Sequence, residues 1–239
     1  MRLLRWDGAP AGVEVAFSTR DGGVSDGPYA SLNLGILTDD EPTRVVENRR
    51  RLCTALGVDP ERATMAFQVH GTRVTKARPT GVVTPGTHHE QCDGLWTDEP
   101  GQGLVLVTAD CLPIALARAD GSRLVVLHAG WRGLLGGIAE AGAAAVDGVS
   151  VAAIGPGIGP CCYAVGEEVA APFRERFGDD VAPDGHLDLP LAAARALEEA
   201  GVARVDRVGG CTACDSETYF SHRRDRGVTG RQGIVATLA

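Results

Sequence analysis

Short apolar runs separated by turn residues recur along this chain and alternate with segments of helical periodicity. Runs rich in Val, Leu and Ile that are bounded by Gly, Pro, Asn or Asp are typical of strands. The predicted strands are 13–18, 65–69, 73–77, 104–107, 112–116, 124–127, 149–154, 205–208 and 234–238. Helical spacing of apolar residues, with a capping residue or Pro at the start and Gly at the end, is typical of helices. The predicted helices are 40–56, 132–146, 167–177 and 189–200.

The order of these elements limits the fold. Between residues 65 and 128 the predicted strands follow one another with no helix between them. That order disfavours a doubly wound parallel sheet and favours antiparallel or mixed sheets. Elsewhere helices and strands are intermixed, and the sequence has no internal repeat and no linker. The pattern therefore predicts one mixed α/β domain that spans residues 1–239.

Reactive side chains lie where three of the predicted strands end. His70, Cys111 and His128 each come at the end of a short apolar run, and loop residues follow at once. Side chains mounted on rigid strand ends are what a preorganised site needs. Two imidazoles and one thiolate are good zinc ligands, and three protein ligands leave the fourth coordination position open, as in catalytic zinc sites. A catalytic zinc site is therefore one interpretation of these residues.

Two other interpretations of the same residues stay open at this point. The three side chains are also compatible with a buried core that is held together by hydrogen bonds. In a thiol enzyme, Cys111 would be the nucleophile and His128 its base, and Asp110 or Asp93 would orient the histidine. Because both chemistries need a Cys and a His in contact, sequence spacing does not separate a metal site from a thiol enzyme.

The remaining cysteine and glycine motifs are weaker signals. Cys211 and Cys214 have the spacing of a metal-binding pair, but a structural zinc site needs a second such pair. Cys161 and Cys162 are adjacent, which is poor geometry for that task, so packed thiols are expected. The Gly-rich segment 155–160 would offer backbone N–H groups to a phosphate, but its prolines remove donors and a rigid turn is expected.

The charge of the chain restricts its partners. The formal net charge is −8, which argues against a nucleic acid or an anionic membrane as a partner. An anionic substrate would therefore need a local basic pocket, for which Arg is suited. The adjacent His88 and His89 lie in a polar loop and are expected to be solvated. The Arg residues that lie in loops or at element ends include Arg20, Arg132, Arg223, Arg224 and Arg231.

Composition and cysteine content point to a cytoplasmic globular protein. The 239 residues are 44% hydrophobic and 23% charged, which suffices to bury a core without disulfides. No segment reaches the roughly 18 to 20 apolar residues of a membrane span, and the first residues lack the apolar core of a signal peptide. Seven cysteines cannot all pair within one chain, so reduced thiols in the cytoplasm are expected.

Eight motifs, spread in order over nearly the whole chain, resemble those of one protein family. The motifs are FSTRDGGVS with SLNLG (17–25, 31–35), NRRRL (48–52), QVHG (68–71), CDGLWT (92–97), TADCLP (108–113), HAGWRG (128–133), GPGIGPCCYAVG (155–166) and SHRRD with TGRQ (221–225, 229–232). The chain resembles the laccase-domain family, also called the multicopper polyphenol oxidase or peptidoglycan editing factor family. Its members are described as purine nucleoside phosphorylases.

The resemblance implies a fold, a metal site and an activity. The implied fold is a layered α/β/β/α sandwich of mixed sheets, and the implied zinc ligands are His70, Cys111 and His128. The implied activity is phosphorolysis of adenosine, inosine, guanosine and methylthioadenosine, with adenosine deamination as a side activity. The Gly-rich motif departs from the family form GPCIGPCCYEVG at Gly157 and Ala164, so we give neither position a role.

We therefore predict a cytoplasmic zinc-dependent enzyme acting on purine nucleosides and inorganic phosphate. The predicted catalytic residues are Cys111, His128 and Asp110, where Asp110 either carries a proton or only orients a histidine. The predicted substrate contacts are Asn33, Arg132 and Arg223.

The metal assignment has alternatives. A multicopper centre needs more histidines than the six of this chain, which also has no His-x-His pair. A single copper ion would instead occupy the same His/Cys/His site, because divalent copper binds such ligands more strongly than zinc. The alternative functions are a Cys-His hydrolase that edits a peptidoglycan precursor, a copper-dependent polyphenol oxidase, and a partner-binding protein without catalysis.

Overall fold

Strands and helices are distributed along the whole described chain, which in this computed structural model comprises residues 1–82 and 89–239. The strands are β1 (Leu3–Arg5), β2 (Val13–Ser18), β3 (Ala63–Met65), β4 (Val74–Lys76), β5 (Gly94–Thr97), β6 (Gly103–Thr108), β7 (Leu112–Arg118), β8 (Leu124–Ala129), β9 (Ser150–Ile154), β10 (Arg204–Arg207) and β11 (Gln232–Leu238). The helices are α1 (Pro42–Ala55), α2 (Trp131–Gly136), α3 (Ile138–Val146), α4 (Glu167–Phe177) and α5 (Leu189–Glu199). Single 3₁₀ turns lie at Gly27–Tyr29, Asp179–Val181 and Pro183–Gly185.

The strands form two mixed sheets. Within the described residues, one sheet has five strands in the order β1-β2-β11-β6-β3, and the other has six in the order β10-β9-β7-β8-β5-β4. Neighbours are antiparallel except for β3 with β6, β9 with β10, and β4 with β5, which are parallel. The prediction of mixed rather than doubly wound parallel sheets is therefore confirmed.

Alternation along the strands builds the layers. In β6, Leu104 and Leu106 belong to the core between the two sheets, whereas Val105 belongs to the core beneath α1. In β8, Val126 faces the other sheet and Val125 faces the helices α2 to α5. Because successive side chains of a strand point to opposite faces, such strands are apolar on both sides. The α/β/β/α sandwich implied by the family resemblance is confirmed.

Local backbone requirements explain where the elements differ from the prediction. The helix predicted over 132–146 is two helices, because Gly137 has a left-handed φ of 102° that ends α2 and starts α3. The strand predicted over 65–69 ends at Met65. β1 and β5 were not predicted, since each has only three or four residues. Within the described residues, no helix has the length and apolar character needed to cross a bilayer.

Candidate active site

The candidate catalytic residues lie at one end of the sandwich, where four strands begin or end. β6 ends at Thr108, which pairs with the first residue of β11, Gln232. β8 ends at Ala129, which pairs with the first residue of β7, Leu112. The connection 109–111 therefore passes from the five-stranded sheet to the six-stranded sheet at this edge.

His70, Cys111 and His128 converge at this end. One candidate ligand atom of each lies within 4.8 Å of those of the other two. The rings of His70 and His128 meet edge to face with centroids 4.7 Å apart. His128 is buried, Cys111 is half-buried and His70 is exposed, so solvent reaches the group from the His70 side. Residues from three distant segments thus form one compact cluster.

Asp93 holds both histidines. Its carboxylate lies 2.8 Å from His128 Nδ1 and accepts hydrogen bonds from the backbone N–H groups of Val69, His70 and Gly71 at 3.2, 2.9 and 2.7 Å. The carboxylate is fully buried. A carboxylate on the second nitrogen of an imidazole fixes its tautomer and ring orientation, which is the usual support of a metal-binding histidine. Asp93 and not Asp110 is therefore the residue that orients a histidine.

Two further residues shape the cluster. Gln68 pairs through its side-chain amide with Val107, donating to its carbonyl at 2.7 Å and accepting from its N–H at 3.0 Å. This contact ties the turn that carries His70 to the end of β6. A Cβ atom at Gly130 would lie 3.0 Å from Cys111 Sγ and 3.1 Å from His70 Cδ2. A side chain at this position would therefore crowd two of the three residues of the cluster.

The electrostatics of the cluster favour a thiolate beside an imidazolium. Burial acts to raise the pKa of the Cys111 thiol, but the charge of His128 and hydrogen bonds from His128 and His70 lower this pKa to about 6. Burial acts to lower the pKa of His128, but the Cys111 charge and the hydrogen bond with Asp93 raise it to about 9. Burial acts to raise the pKa of Asp93, but the hydrogen bonds from His128 and Gly71 lower this pKa below its usual range.

This donor set fits one metal ion. Two imidazoles and a thiolate, with a carboxylate behind one imidazole, are the ligands and the support that zinc uses in catalytic sites. Copper also accepts such ligands. Within residues 1–82 and 89–239, the other group able to hold a metal consists of four cysteines. That part of the chain therefore offers no cluster of histidines for the several copper ions of a laccase.

A cavity of about 910 Å³ opens in front of the cluster. This volume lies at the upper end of the range of small-molecule sites. His70, Cys111 and His128 line one part of its wall, and Phe67 and Tyr163 contribute aromatic rings. The cavity is therefore large enough for a nucleoside together with a small anion.

The wall also contains polar groups that sequence patterns did not single out. Thr108 Oγ1 is buried and has no hydrogen-bond partner among the described residues. His89 lines the cavity, so the expected solvation of the His88-His89 pair is wrong for His89, and His88 lies outside the described residues. Arg49 and Arg231 line the cavity as well, and they bring positive charge into an acidic protein.

Arg49 and Arg231 donate to backbone carbonyls. Arg49 Nε donates to Leu34 O at 2.9 Å, and Arg231 Nη1 donates to Thr229 O at 2.9 Å. In the described parts of the chain, neither guanidinium forms an ion pair with a carboxylate. Burial lowers the pKa of Arg49 to about 10 and also lowers the pKa of Arg231. Partly desolvated guanidinium groups without a carboxylate partner are suited to bind an anion.

Asp110 and Arg223 lie in the cavity wall and contact each other. Asp110 Oδ1 accepts from Thr212 Oγ1, and Oδ2 accepts from the Arg223 backbone N–H, both at 2.6 Å. The Arg223 guanidinium donates to Ala164 O at 2.7 Å and lies 5.0 Å from the Tyr163 ring centroid. Asp110 thus joins two segments of the wall to the segment that carries Thr212.

The structure does not bring Asn33 and Arg132 to the cavity wall. Asn33 is buried, and its side chain bonds Gly35, Thr38, Asp40 and the backbone N–H of Arg231. These bonds position residues that line the cavity, and a substrate contact for Asn33 stays a prediction. Arg132 is exposed, and its guanidinium lies 4.2 Å from the Trp131 ring centroid.

Comparison with known proteins shows that this chain is similar to named enzymes. Purine nucleoside phosphorylase YlmD of Geobacillus stearothermophilus is 40% identical over 251 residues, covering 94% of this chain and 90% of that protein. Purine nucleoside phosphorylase YfiH of Escherichia coli is 37% identical over 238 residues, covering 96% and 95%. The names of these relatives support the conclusion that this chain is an enzyme.

Solved structures share the fold. The crystal structure of YlmD from Geobacillus stearothermophilus matches with a TM-score of 0.88 at 36% identity, covering 99% of this chain and 96% of that chain. That of Neisseria meningitidis protein NMB0706 matches with a TM-score of 0.88 at 32% identity, covering 100% and 99%. The sequence model of the family described as multi-copper polyphenol oxidoreductase laccase, a description that implies a metal, matches residues 14–239. The chain therefore belongs to the multi-copper polyphenol oxidoreductase laccase family.

Proposed function

We propose that the protein is a purine nucleoside phosphorylase that uses a zinc ion held by His70, Cys111 and His128. The observation that carries this proposal is the presence, in one cavity, of a three-ligand cluster and of two guanidinium groups that have no carboxylate partner within residues 1–82 and 89–239. The names of the relatives support the reaction. We also propose a cytoplasmic location, with which seven cysteines free of disulfides agree.

The proposed substrates are a purine nucleoside and inorganic phosphate. Phosphate is a divalent or monovalent anion near neutral pH, and Arg49 and Arg231 would bind it by charge-assisted hydrogen bonds. Phe67 and Tyr163 offer aromatic surfaces to the purine, and Thr108 Oγ1 offers an unused hydrogen bond. Adenosine, inosine, guanosine and methylthioadenosine share the purine and the ribose on which these contacts act.

The reaction requires that two substrates be held in line. A phosphate oxygen attacks C1′ of the ribose while the bond from C1′ to the purine nitrogen breaks, and the departing purine takes up the proton that the hydrogen phosphate gives up. Arg49 and Arg231 would hold the phosphate against C1′, which converts a bimolecular step into an effectively unimolecular one. When bound, the ion supplies a Lewis acid at this wall of the cavity. Asp110 serves as a positioning residue, because Thr212 and the Arg223 backbone occupy its two oxygens.

Adenosine deamination is proposed as a side activity in the same cavity. It replaces the amino group at C6 of adenine with oxygen from water and releases ammonia. This reaction consumes no phosphate, so it would be independent of Arg49 and Arg231. Ammonia release from adenosine without phosphate therefore separates deamination from phosphorolysis.

A phosphate-dependence assay tests the proposed function. Zinc-loaded protein is incubated with inosine, with and without inorganic phosphate, and hypoxanthine and ribose 1-phosphate are quantified. We expect the two products in equal amounts, only with phosphate, with loss after chelation and recovery on adding zinc. Hypoxanthine release at the same rate with and without phosphate, or no purine release from any of the four nucleosides, would contradict the proposal.

The alternative functions give different results with the same preparation. A copper-dependent polyphenol oxidase would consume oxygen with phenols, and the rate would rise with copper content. A Cys-His hydrolase acting on a peptidoglycan precursor would keep its activity in the presence of chelators and lose it on alkylation of Cys111. Neither result is expected if the cavity holds zinc and a nucleoside.

A further inference from the structure

A second cluster of metal-binding side chains lies outside the cavity wall. The sulfur atoms of Cys161, Cys162, Cys211 and Cys214 all lie within 4.8 Å of one another. Cys214 Sγ is 3.2 Å from Cys161 Sγ and 3.4 Å from Cys162 Sγ. None of the four residues lines the cavity described above. The proposed nucleoside chemistry therefore makes no use of them.

Strand pairing brings the two cysteine pairs together. β9 and β10 are parallel neighbours, so the segments that follow them leave the sheet at the same edge. Gly157 forms an isolated parallel bridge with Cys211, and Thr212 N donates to Gly157 O at 3.0 Å. The sequence offered no sign of this long-range pairing, which supplies the second pair that Cys211 and Cys214 lacked.

Hydrophobic packing does not account for the cluster. Cys161 and Cys214 are exposed, and Cys162 and Cys211 are half-buried. Thiols that pack as small apolar groups are buried in the core, as Cys53 is in this protein. The expectation of packed thiols is therefore wrong for this cluster, and four sulfurs gathered at the surface need another reason.

We propose that Cys161, Cys162, Cys211 and Cys214 bind one zinc-type divalent ion in a closed tetrahedral site. Four thiolates at a zinc–sulfur distance of about 2.3 Å lie about 3.8 Å apart, and tetrahedral sulfur sites of this kind take zinc. A disulfide uses two sulfurs at about 2.05 Å and leaves the other two without a role. An iron–sulfur cluster spreads its cysteines over several irons and so holds them farther apart.

The backbone around the cluster supports bound thiolates. Gly159 N donates to Cys211 Sγ at 3.2 Å, and a hydrogen bond to the charged form of a sulfur stabilises the thiolate that a metal requires. A Cβ atom at Gly159 would lie 3.3 Å from Cys211 Cβ and 3.5 Å from Cys161 Sγ. A side chain at this position would therefore fit tightly against Cys211 and lie in ordinary contact with the Cys161 sulfur.

The ion would brace the wall of the cavity and would not react. Four protein ligands leave no open coordination position, as in structural zinc sites. The ion and its four cysteines would join the segment that carries Tyr163 to the segment that carries Thr212. Tyr163 N–H donates to Gly159 O at 3.1 Å. Thr212 in turn donates to Asp110 beside Cys111. The proposed site is thus structural and separate from the proposed nucleoside chemistry.

Metal analysis of variants that lack the first site tests the proposal. The His70→Ala/His128→Ala double variant is purified with a reductant, loaded with zinc and freed of excess metal. We expect about one zinc per chain, where the wild type holds about two, and X-ray absorption should show four sulfurs at about 2.3 Å. The Cys211→Ser/Cys214→Ser variant should lose this ion and keep one with nitrogen and sulfur ligands. Cys53→Ala, a control for removal of a thiol, should keep both.

Two results would overturn the proposal. One is a zinc-loaded His70→Ala/His128→Ala variant that holds no metal. The other is an unreduced peptide digest whose mass spectrum shows Cys161 and Cys214 joined by a disulfide in protein purified with a reductant. Because the histidine variant leaves all four cysteines in place, its metal content decides the question even if the Cys211→Ser/Cys214→Ser variant does not fold.

Discussion

Asp93 connects the two histidines of the candidate metal centre. Its carboxylate contacts His128 Nδ1 and the backbone N–H of His70, and it is fully buried. Removing a carboxylate of this kind leaves the metal-binding histidines in the chain but no longer fixes their tautomer and ring orientation. Asp93 would therefore act as a positioning residue for the proposed metal and not as a ligand.

Substituting Asp93 should weaken the metal centre specifically. We expect Asp93→Asn to lower zinc affinity at the His70 site by about 10- to 100-fold, the usual effect of removing such a support. Asp110→Asn is the control, because Asp110 contacts Thr212 and Arg223 and neither histidine. Competition with a chelator of known affinity measures both variants. Equal affinities in the two variants would show that Asp93 has no such role.

The ionisation of Cys111 predicts its reactivity in metal-free protein. Its pKa is lowered to about 6 by His128 and His70, so the thiolate predominates above that pH and disappears as the pH falls through it. Iodoacetamide should therefore alkylate Cys111 at pH 7 with a rate that declines below pH 6, whereas the raised pKa of buried Cys53, about 12, keeps that thiol unreactive. Peptide mass spectrometry follows both sites. Zinc should block alkylation of Cys111, and alkylation at an unchanged rate in zinc-loaded protein would favour a thiol hydrolase.

The guanidinium groups in the cavity wall should set the affinity for phosphate. A hydrogen bond to a charged group contributes about 1.5 to 3 kcal/mol, so Arg231→Met should raise the KM for phosphate by roughly 10- to 100-fold. Arg132→Met is the matched control, because Arg132 stacks on Trp131 and is not among the residues that line the cavity. Initial rates at varied phosphate concentration give both values. A larger effect from Arg132 than from Arg231 would contradict this role of Arg231 and would support the substrate contact predicted for Arg132.

Single residues were predictable where a simple pattern marked them. Polar or reactive side chains at the ends of apolar runs pointed to His70, Cys111 and His128, which the structure brings together. Arg49 also carried a signal, because it lies on the apolar stripe of α1 between Val45 and Leu52. Asn33 lies in a loop without periodicity, so sequence did not show that its side chain turns inward.

At the scale of elements, backbone conformation decides the boundaries that periodicity leaves open. Residues 132–146 are rich in Ala and Leu and favour one continuous helix. Gly137 interrupts it with a left-handed backbone, and its N–H closes α2 on Gly133 O and Leu134 O. α2 follows Gly130, which lies beside Cys111 and His70, and after the break α3 packs against β8.

A pair of glycine substitutions tests this requirement. Gly137→Ala should destabilise the protein by about 1 to 2 kcal/mol, the cost of a left-handed conformation for a residue with a Cβ atom. Gly210→Ala is the control, because Gly210 has no left-handed φ and a Cβ atom added there would meet no atom within 4 Å beyond its chain neighbours; its effect should stay within about 0.5 kcal/mol. Urea denaturation measures both. Equal stability of the two variants would contradict the role of Gly137.

At the scale of the whole molecule, the two sheets use both of their faces for apolar packing. The candidate catalytic residues therefore lie at one end of the sandwich, where strands begin and end. The layer order followed from the family resemblance, and mixed pairing followed from consecutive strands without helices. Sequence did not reveal which distant strands become neighbours. That pairing, between β9 and β10, gathers four cysteines in one place. Likewise, the cavity forms only when loops from both sheets meet, so its arginines were not predictable as a set.

The rate of phosphate-dependent hypoxanthine release by Cys111→Ala, determined with the zinc content of the same preparation, tests the central claim most directly. Cys53→Ala is the control for loss of a buried thiol outside both clusters. Because Cys111 is a proposed ligand, we predict loss of one zinc equivalent and a fall in rate of more than about 100-fold, with both values unchanged in Cys53→Ala. Undiminished turnover in a Cys111→Ala preparation that has lost this zinc would contradict the account.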